Sequence, residues 1–219
     1  MCIVTETWLK EEHYVDQGIE DFENQNGLKF IRRDRRDRRG GGVAICYNRK
    51  EIDMSRIRLP HTKHEIVGAI GRRVGQRRKV AVLAVYLPPA MKAHQVRRCL
   101  KDVNDSLLHI KQKYTDPYII LGGDFNKSDL RQALSDHPDI KPVTTGPTRG
   151  TSILDIVATN FNRDLGKSGT TQPIKSVNEI PTDHLTVYAF FKMSRVPSYR
   201  IEEYSYYQQT EQGLSLIHI

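Results

Sequence analysis

The segment YIILGGDFN, residues 118–126, constrains the fold of this chain more than any other. Residues 118–121 form a continuous apolar run of the kind found in strands that are buried on both faces of a sheet. Two glycines follow, and the segment ends in an acid and an amide, Asp124 and Asn126. A rigid buried strand can aim a polar side chain into the crevice where layered α/β proteins place their sites. The sequence therefore predicts an α/β domain with a functional carboxylate at Asp124.

The rest of the chain alternates strand and helix patterns and contains no internal repeat. The strongest helix pattern runs from Val96 to Tyr114, where apolar residues recur at spacings of three, four and seven. A shorter helix is predicted over Leu9–Asp16. Strands are predicted in CIVTET, Leu28–Ile31, Val43–Tyr47, EIVGAIGRR, KVAVLAVYLPP, KPVTT, ILDIVATN and HLTVYAFFKM. This order indicates an α/β or α+β domain, with two sheets packed face to face and helices outside.

The formal net charge of +8 favours a polyanionic partner. Much of the excess lies in RRDRRDRR, Arg32 to Arg39, which stands between two strand patterns and is followed by three glycines. That arrangement predicts a hairpin with a basic tip. The alternative is a solvated turn in which the two aspartates partly neutralise the arginines.

Two features of the sequence bear on the cellular compartment. The apolar runs are all shorter than the roughly 18 to 20 residues that cross a bilayer, and no basic n-region or cleavage site follows Met1, so neither a membrane nor secretion is expected. Cys2, Cys46 and Cys99 are widely separated within apolar segments, which argues against disulfides and against a zinc cluster. We expect an intracellular protein in a reducing compartment.

Further polar residues lie at the ends of predicted strands, as Asp124 does. Glu6 ends the first strand, Tyr86 ends VAVLAVY, Asp155 interrupts SILDIVAT, and Asp183 and His184 precede the last strand. Singly, each has an ordinary structural explanation, such as a surface acid, a rim aromatic or a carboxylate bound by a neighbouring backbone group. As a set they supply what a metal-assisted phosphodiesterase needs.

Five motifs in this order resemble one known superfamily. They are TETWL (5–9), VYLPP (85–89), GGDFN (122–126), PTRGTSILDIVATN (147–160) and TDH (182–184). Together they are similar to the endonuclease/exonuclease/phosphatase superfamily, and more narrowly to the apurinic-type endonuclease domain of non-LTR retrotransposons of the Jockey and CR1 kind. The resemblance covers residues 1–193 and implies a four-layered α/β sandwich, with two mixed sheets flanked by helices.

The resemblance also implies a role for each matching residue. The metal would be held by Glu6 and Asp183, and Mg²⁺ suits such a hard oxygen site, with Mn²⁺ as the other ion. Asp124 would activate the attacking water, and Asn126 and Tyr86 would hold the phosphate. His184 would contact the scissile phosphate, and Asp155 would orient it. Substrate DNA would be contacted by Thr148, Arg149 and Thr182, which replaces the serine usual before Asp-His.

The implied reaction is hydrolysis of one DNA strand to leave a 3′-hydroxyl that primes reverse transcription. The partners would be DNA and the reverse transcriptase domain of the same polyprotein, and the location nuclear. Two alternatives remain: a catalytically impaired remnant that binds DNA, and another phosphoesterase of the superfamily that acts on a phosphorylated lipid or small molecule.

The resemblance also yields expectations about the two ends of the chain. The family pattern begins with a strand carrying an asparagine, and that strand would be missing before Met1. Residues 194–213 would be a linker that leads towards a reverse transcriptase. Residues 214–219, LSLIHI, can be encoded by a transposase adapter end used in sequencing libraries, so we expect them to be an artefact and the chain to be a fragment.

Overall fold

The structure of the protein is a computed structural model that describes residues 1–10, 13–35, 40–73, 75–126, 128–161, 165–172, 182–191, 205–210 and 213–218. The helices are α1 (His13–Asn26) and α2 (Ala93–Lys113), with a 3-10 turn at Leu130–Gln132. The strands are β1 (Cys2–Thr5), β2 (Leu28–Arg33), β3 (Val43–Asn48), β4 (Ile52–Arg56), β5 (Glu65–Arg73), β6 (Val80–Tyr86), β7 (Tyr118–Asp124), β8 (Lys141–Pro142), β9 (Asp155–Thr159), β10 (Leu165–Thr171), β11 (Thr186–Phe191), β12 (Ser205–Thr210) and β13 (Gly213–His218).

Two sheets form the body of the protein. One has six strands in the order β4-β5-β6-β7-β9-β8, and the other has three in the order β1-β3-β2. The pair β6 and β7 is parallel, and the remaining pairs of both sheets are antiparallel. Of the two, only the six-stranded sheet is therefore mixed over the residues that the structure describes. Strands β10 and β11 pair with each other, as do β12 and β13.

Helices cover the outer faces of the two sheets. The buried face of α2, which includes Leu100, Val103 and Leu107, joins one core cluster with alternate residues of β6. Helix α1 lies against β2, where Phe22 and Phe30 have ring centroids 6.0 Å apart. The order of layers is thus helix, sheet, sheet and helix, which confirms the predicted α/β sandwich.

Strand β6 shows how the period of two sorts side chains between the two cores. Ala81, Leu83 and Val85 join the cluster beneath α2, whereas the residues between them join the cluster between the sheets. Tyr86 belongs to the second cluster and is 2% exposed. Its ring therefore lies between the sheets, at the end of a fully buried strand.

The two glycines before Asp124 allow close packing at the end of β7. A Cβ atom on Gly122 would lie 2.7 Å from Cδ1 of Ile3, so even a methyl group there would displace this side chain of β1. Gly123 has φ of +142°, and a Cβ there would lie 1.8 Å from the carbonyl oxygen of Val85. The Gly-Gly pair thus brings β1 and β6 against the end of β7, where the polar residues follow.

Several elements differ from the sequence prediction. Helix α1 spans His13–Asn26 rather than Leu9–Asp16, and four strands had not been predicted, namely β4, β10, β12 and β13. The hairpin of β2 and β3 is confirmed, with Leu28 opposite Asn48 and Arg33 opposite Val43. Residues 36–39 of its basic tip lie outside the described residues.

Two smaller predictions can also be compared with the structure. All three cysteines are free thiols, as the sequence predicted, although Cys2 and Cys46 are register partners across β1 and β3. Within the described part of the chain, no helix is long and apolar enough to cross a membrane.

Candidate active site

A row of polar residues crosses the six-stranded sheet where its central strands end. Tyr86 of β6 is the register partner of Asp124 of β7, and Asp124 is in turn the register partner of Asp155 of β9. Two carboxylates directly opposite each other destabilise a strand pair. Such a pairing is typical of a functional site, where a stability cost is tolerated for chemistry.

Asp124 is the most deeply placed carboxylate of this row, with 6% of the residue exposed. The pKa of Asp124 is raised from 3.8 to about 6, mainly by burial and to a smaller extent by the charges of Asp155 and Glu6. Its hydrogen bond from the backbone N–H of Asn126, at 2.8 Å, and the charge of His184 act in the opposite direction. A carboxyl group of this kind exchanges a proton closer to neutral pH than an ordinary aspartate does.

Asp155 and His184 form a close pair beside Asp124. Oδ2 of Asp155 lies 2.7 Å from Nδ1 of His184, so the other ring nitrogen, Nε2, is left for a substrate. Thr148 holds both partners in place. Its hydroxyl accepts from the backbone N–H of Asp155 at 3.1 Å, and its carbonyl accepts from the N–H of Leu185, next to the histidine, at 2.7 Å.

Glu6 reaches this region from the three-stranded sheet, directly after β1. The backbone has φ of 53° at Glu6 and 55° at Trp8, which is uncommon for residues other than glycine and is found often at functional sites. Oε2 of Glu6 accepts from the indole N–H of Trp8 at 2.7 Å and from the N–H of Gly41 at 2.9 Å. Oε1 accepts from the hydroxyl of Tyr86, which links the two sheets at the site.

Asn126 follows Asp124 in a left-handed conformation with φ of 49°. Its side-chain N–H donates to the carbonyl oxygen of Leu87 at 2.6 Å, and its backbone N–H donates to Asp124. The turn after β7 therefore fixes both polar side chains of the GGDFN motif relative to the end of β6.

The structure brings together most of the residues that the sequence singled out. Direct hydrogen bonds or strand register join Tyr86, Asp124, Asn126, Asp155 and His184, and Glu6 is joined to them through Tyr86. The predicted role of Thr148 needs correction. It is 0% exposed, so it positions Asp155 and cannot contact DNA with its side chain in this conformation.

The remaining predicted residues lie on the exposed side of this site. Arg149 donates to Oδ2 of Asp183 at 2.6 Å, so the described partner of this carboxylate is an arginine. The hydroxyl of Thr182 accepts from the N–H of His184 at 3.2 Å. The metal role of Asp183 and the DNA contacts of Arg149 and Thr182 stay predictions.

Sequence reasoning missed one ion pair that continues the row. Glu65 is the register partner of Tyr86, and it accepts from Nε of Arg35 at 2.5 Å and from the N–H of Gly42 at 2.7 Å. The Arg35 guanidinium lies 5.8 Å from the centroid of the Tyr86 ring. Glu65 begins a predicted strand, which was an available signal, whereas nothing in RRDRRDRR distinguishes Arg35 from its neighbours.

Three side chains offer a set of donors for a divalent cation. One atom from each of Asp124, Asp155 and His184 lies within 4.8 Å of the others. Carboxylate oxygens suit Mg²⁺ and Mn²⁺, and Asp124 and Asp155 are register partners, so a cation there would offset two neighbouring negative charges. The residues therefore fit such an ion. The sequence had instead placed the metal on Glu6 and Asp183, and that placement stays a prediction.

Comparisons with known proteins come from structure alone, because no family model and no curated protein matches the sequence. A 3′-5′ exonuclease from Neisseria meningitidis is 14% identical, with a TM-score of 0.61 over 87% of this chain and 88% of that one. The endonuclease domain of TRAS1, a telomere-specific non-LTR retrotransposon, is 16% identical, with a TM-score of 0.54 over 76% of this chain and 80% of that one. TDP2 of D. rerio, complexed with a single-strand DNA product, is 13% identical, with a TM-score of 0.56 over 85% of this chain and 83% of that one.

Identities this low establish the fold and not the activity. The three neighbours are members of one superfamily, which the ordered motifs of this chain had already indicated. The protein therefore has the fold of the endonuclease/exonuclease/phosphatase superfamily.

Proposed function

We propose that the protein is a metal-dependent phosphodiesterase that nicks one strand of DNA and leaves a 3′-hydroxyl. The observation that carries this proposal is the row of Tyr86, Asp124 and Asp155 with His184 beside it, at the ends of the central strands. It supplies a buried carboxyl with a raised pKa, an oriented imidazole and a phenol within one small volume. Structural neighbours that include TDP2 with a single-strand DNA product and a retrotransposon endonuclease domain support the choice of DNA.

Each residue has a distinct task in hydrolysis. Asp124 accepts the proton of the water that attacks phosphorus, which a carboxylate with a pKa near 6 does better than an ordinary one. His184 presents Nε2 to a phosphate oxygen, and Asp155 fixes that orientation. Mg²⁺ or Mn²⁺ held by carboxylate oxygens of Asp124 and Asp155 would neutralise charge that develops on the phosphate, and both ring nitrogens of His184 would stay with Asp155 and the phosphate. Water is thus added across one P–O bond, and the 3′-oxygen leaves as a hydroxyl.

The biological role that we propose follows from the ordered motifs. The nick would be made by a non-LTR retrotransposon endonuclease at a target site, and its 3′-hydroxyl would prime reverse transcription by a domain of the same polyprotein. Access to chromosomal DNA would require a nuclear location. The likeness of the fold to the TRAS1 endonuclease domain supports this role.

A plasmid nicking assay tests the activity. We expect the protein to convert supercoiled plasmid to open circles with Mg²⁺ and not with EDTA. His184→Ala should slow nicking by about 10² to 10⁴-fold, the usual loss when a positioned catalytic group is removed. The matched control is His64→Ala, because Nδ1 of His64 also lies 2.7 Å from a carboxylate, that of Asp102, at a comparable exposure and outside the proposed catalytic residues.

Three other outcomes would each point away from this proposal. Nicking by His184→Ala at the parent rate would remove this site from the reaction. Salt-dependent DNA binding without turnover would indicate a catalytically impaired remnant. Hydrolysis of phosphorylated lipids or small molecules, with no action on DNA, would assign the other phosphoesterase activity.

The basic tip of the β2–β3 hairpin yields a prediction about affinity. Replacement of Arg36, Arg38 and Arg39 by alanine should weaken DNA binding uniformly across sequences, because phosphate contacts carry no sequence information. The slope of log affinity against log salt should become shallower by about 0.9 for each lost contact. Fluorescence anisotropy with duplexes of different sequence measures both effects. An unchanged slope would mean that the tip is only a solvated turn.

A further inference from the structure

A groove lined by basic residues lies near the row of catalytic residues, at the same end of the six-stranded sheet. The groove has a volume of about 310 Å³ and is formed by the ends of β2 and β4, the β4–β5 loop and the start of β5. Its floor is partly apolar and includes Ile66 and Gly68. Three arginines and one histidine stand among its lining residues, and no carboxylate does over the described residues: Arg33, Arg56, Arg58 and His61.

Backbone carbonyl groups hold two of these arginines. Nη2 of Arg33 donates to the carbonyl oxygen of Thr62 at 2.5 Å, and Nη2 of Arg56 donates to the carbonyl oxygen of Arg32. The bond from Arg56 positions its guanidinium, and a neutral carbonyl group leaves the charge of that arginine in place. Within the described part of the chain, neither Arg56 nor Arg58 has a carboxylate at ion-pair distance, whereas nearby Arg35 is paired with Glu65. The groove therefore carries a net positive charge on oriented donors.

Strand order places this groove at the same end of the sheet as the catalytic row. Glu65, the residue before the groove on β5, is the register partner of Tyr86, which is the partner of Asp124. Strand β4 is three strands away from β7 in the sheet order, or roughly 14 Å at about 4.8 Å per strand. Successive phosphates of one DNA strand advance about 3.4 Å along the helix axis, so this offset is close to four nucleotides.

We propose that the groove binds a backbone phosphate of the DNA substrate, about four nucleotides from the bond that is cut. The inference rests on the proposed function, since it takes DNA as the substrate. Guanidinium groups donate two parallel hydrogen bonds to phosphate oxygens, and among the described residues Arg56 and Arg58 line the groove without an ion pair to a carboxylate that a phosphate would have to displace. The groove thereby fixes the register of the duplex on the enzyme, while the catalytic row performs the cut.

The test compares two variants that each remove two positive charges. One is Arg56→Gln with Arg58→Gln in the groove. The matched control is Arg97→Gln with Arg98→Gln, two exposed arginines on α2, on the outer face of the sheet. Binding of a labelled duplex is measured by anisotropy in EDTA, so that no cutting occurs. The groove variant should show a salt slope shallower by about one, as expected for the loss of one phosphate contact, and the control should match the parent.

A second arm locates the contact along the DNA. Single neutral methylphosphonate linkages are placed at one to six positions on either side of the mapped nick. The parent should lose most affinity when the linkage near the fourth position is neutral, and the groove variant should be insensitive there. A third arm titrates the protein with inorganic phosphate, which should compete with DNA only weakly.

The outcomes separate this inference from the proposed function. Equal salt slopes in the groove variant and the parent, or an equal loss in the α2 control, would overturn the inference even if the parent nicks DNA normally. Saturable binding of inorganic phosphate with an unchanged DNA slope would assign the groove to a small anion and also overturn it. If the proposed function is wrong, the parent protein will not nick DNA in the presence of Mg²⁺. The difference in DNA binding between the groove variant and the parent can still be measured in that case.

Discussion

Asp155→Asn is expected to nick DNA on the order of a hundredfold to a thousandfold more slowly than the parent, with its fold intact. The carboxylate of Asp155 lies 2.7 Å from Nδ1 of His184 and orients the ring towards the phosphate. Asparagine keeps the volume, removes the charge and can present its amide N–H to the ring, which favours the wrong tautomer. Loss of one charge-assisted contact in such a site costs roughly 2.7 to 4 kcal/mol. Single-turnover nicking at saturating protein measures the rate without a contribution from affinity.

Asp102→Asn is the matched control for this substitution. Asp102 makes a 2.7 Å contact with Nδ1 of His64 and has a similar side-chain exposure, 26% against 21% for Asp155. We expect this control to nick at the parent rate. Circular dichroism on the same samples separates chemistry from folding, because Asp155 is half-buried in β9. A folded Asp155→Asn protein that nicks at the parent rate would remove Asp155 from the mechanism.

Asp124→Asn should make the metal-free protein more stable at pH 8, by about 3 kcal/mol in the free energy of unfolding. Burial raises the pKa of Asp124 from 3.8 to about 6, so ionisation of this group is harder in the folded than in the unfolded state. A rise of about two in pKa corresponds to about 3 kcal/mol. Asparagine removes the charge and keeps an oxygen that can accept from the N–H of Asn126.

The stability gained by Asp124→Asn relative to the parent should depend on pH. The folded state holds its proton to about pH 6 and the unfolded state only to about pH 4, so the stability of the parent falls as pH rises between these values. Urea unfolding in EDTA should therefore show the full difference above pH 6 and none below about pH 4. Asp105→Asn is the control, because this residue makes only a surface ion pair with Lys101. A variant less stable than the parent at pH 8 would show that burial of the Asp124 charge is compensated.

The parts of the fold that sequence predicted well are those with a strong local pattern. The apolar run of β7 and the amphipathic spacing of α2 carry their own signals, and the observed helix, Ala93–Lys113, nearly matches the predicted Val96–Tyr114. Helix α1 has a weak pattern and contains Gly18, and it depends on contacts with β2, such as the bond from the N–H of Phe30 to Glu23. Its bounds are set by tertiary structure, which no local pattern reveals.

The same distinction applies to the candidate site. Asp124 and Asp155 could be predicted because each breaks an apolar strand, and the motifs then indicated His184. Asp155 and His184 are 29 residues apart in sequence, so the contact between them depends on the tertiary fold, which a linear pattern does not specify. The Glu65–Arg35 pair and the burial of Thr148 appear only once the sheets are assembled.

The bond between Tyr86 and Glu6 joins residues of two different sheets, and this has a consequence for the nascent chain. Each sheet can hold its own polar residues, yet only docking of one sheet upon the other brings Glu6 to Tyr86 and so to the rest of the site. A chain in which both sheets had formed but not docked at Gly122 would contain every residue of the site without the contact that joins Glu6 to the rest. In the proposed nuclease, activity would therefore require the two sheets to be docked, and a loosened interface far from the cut would abolish it.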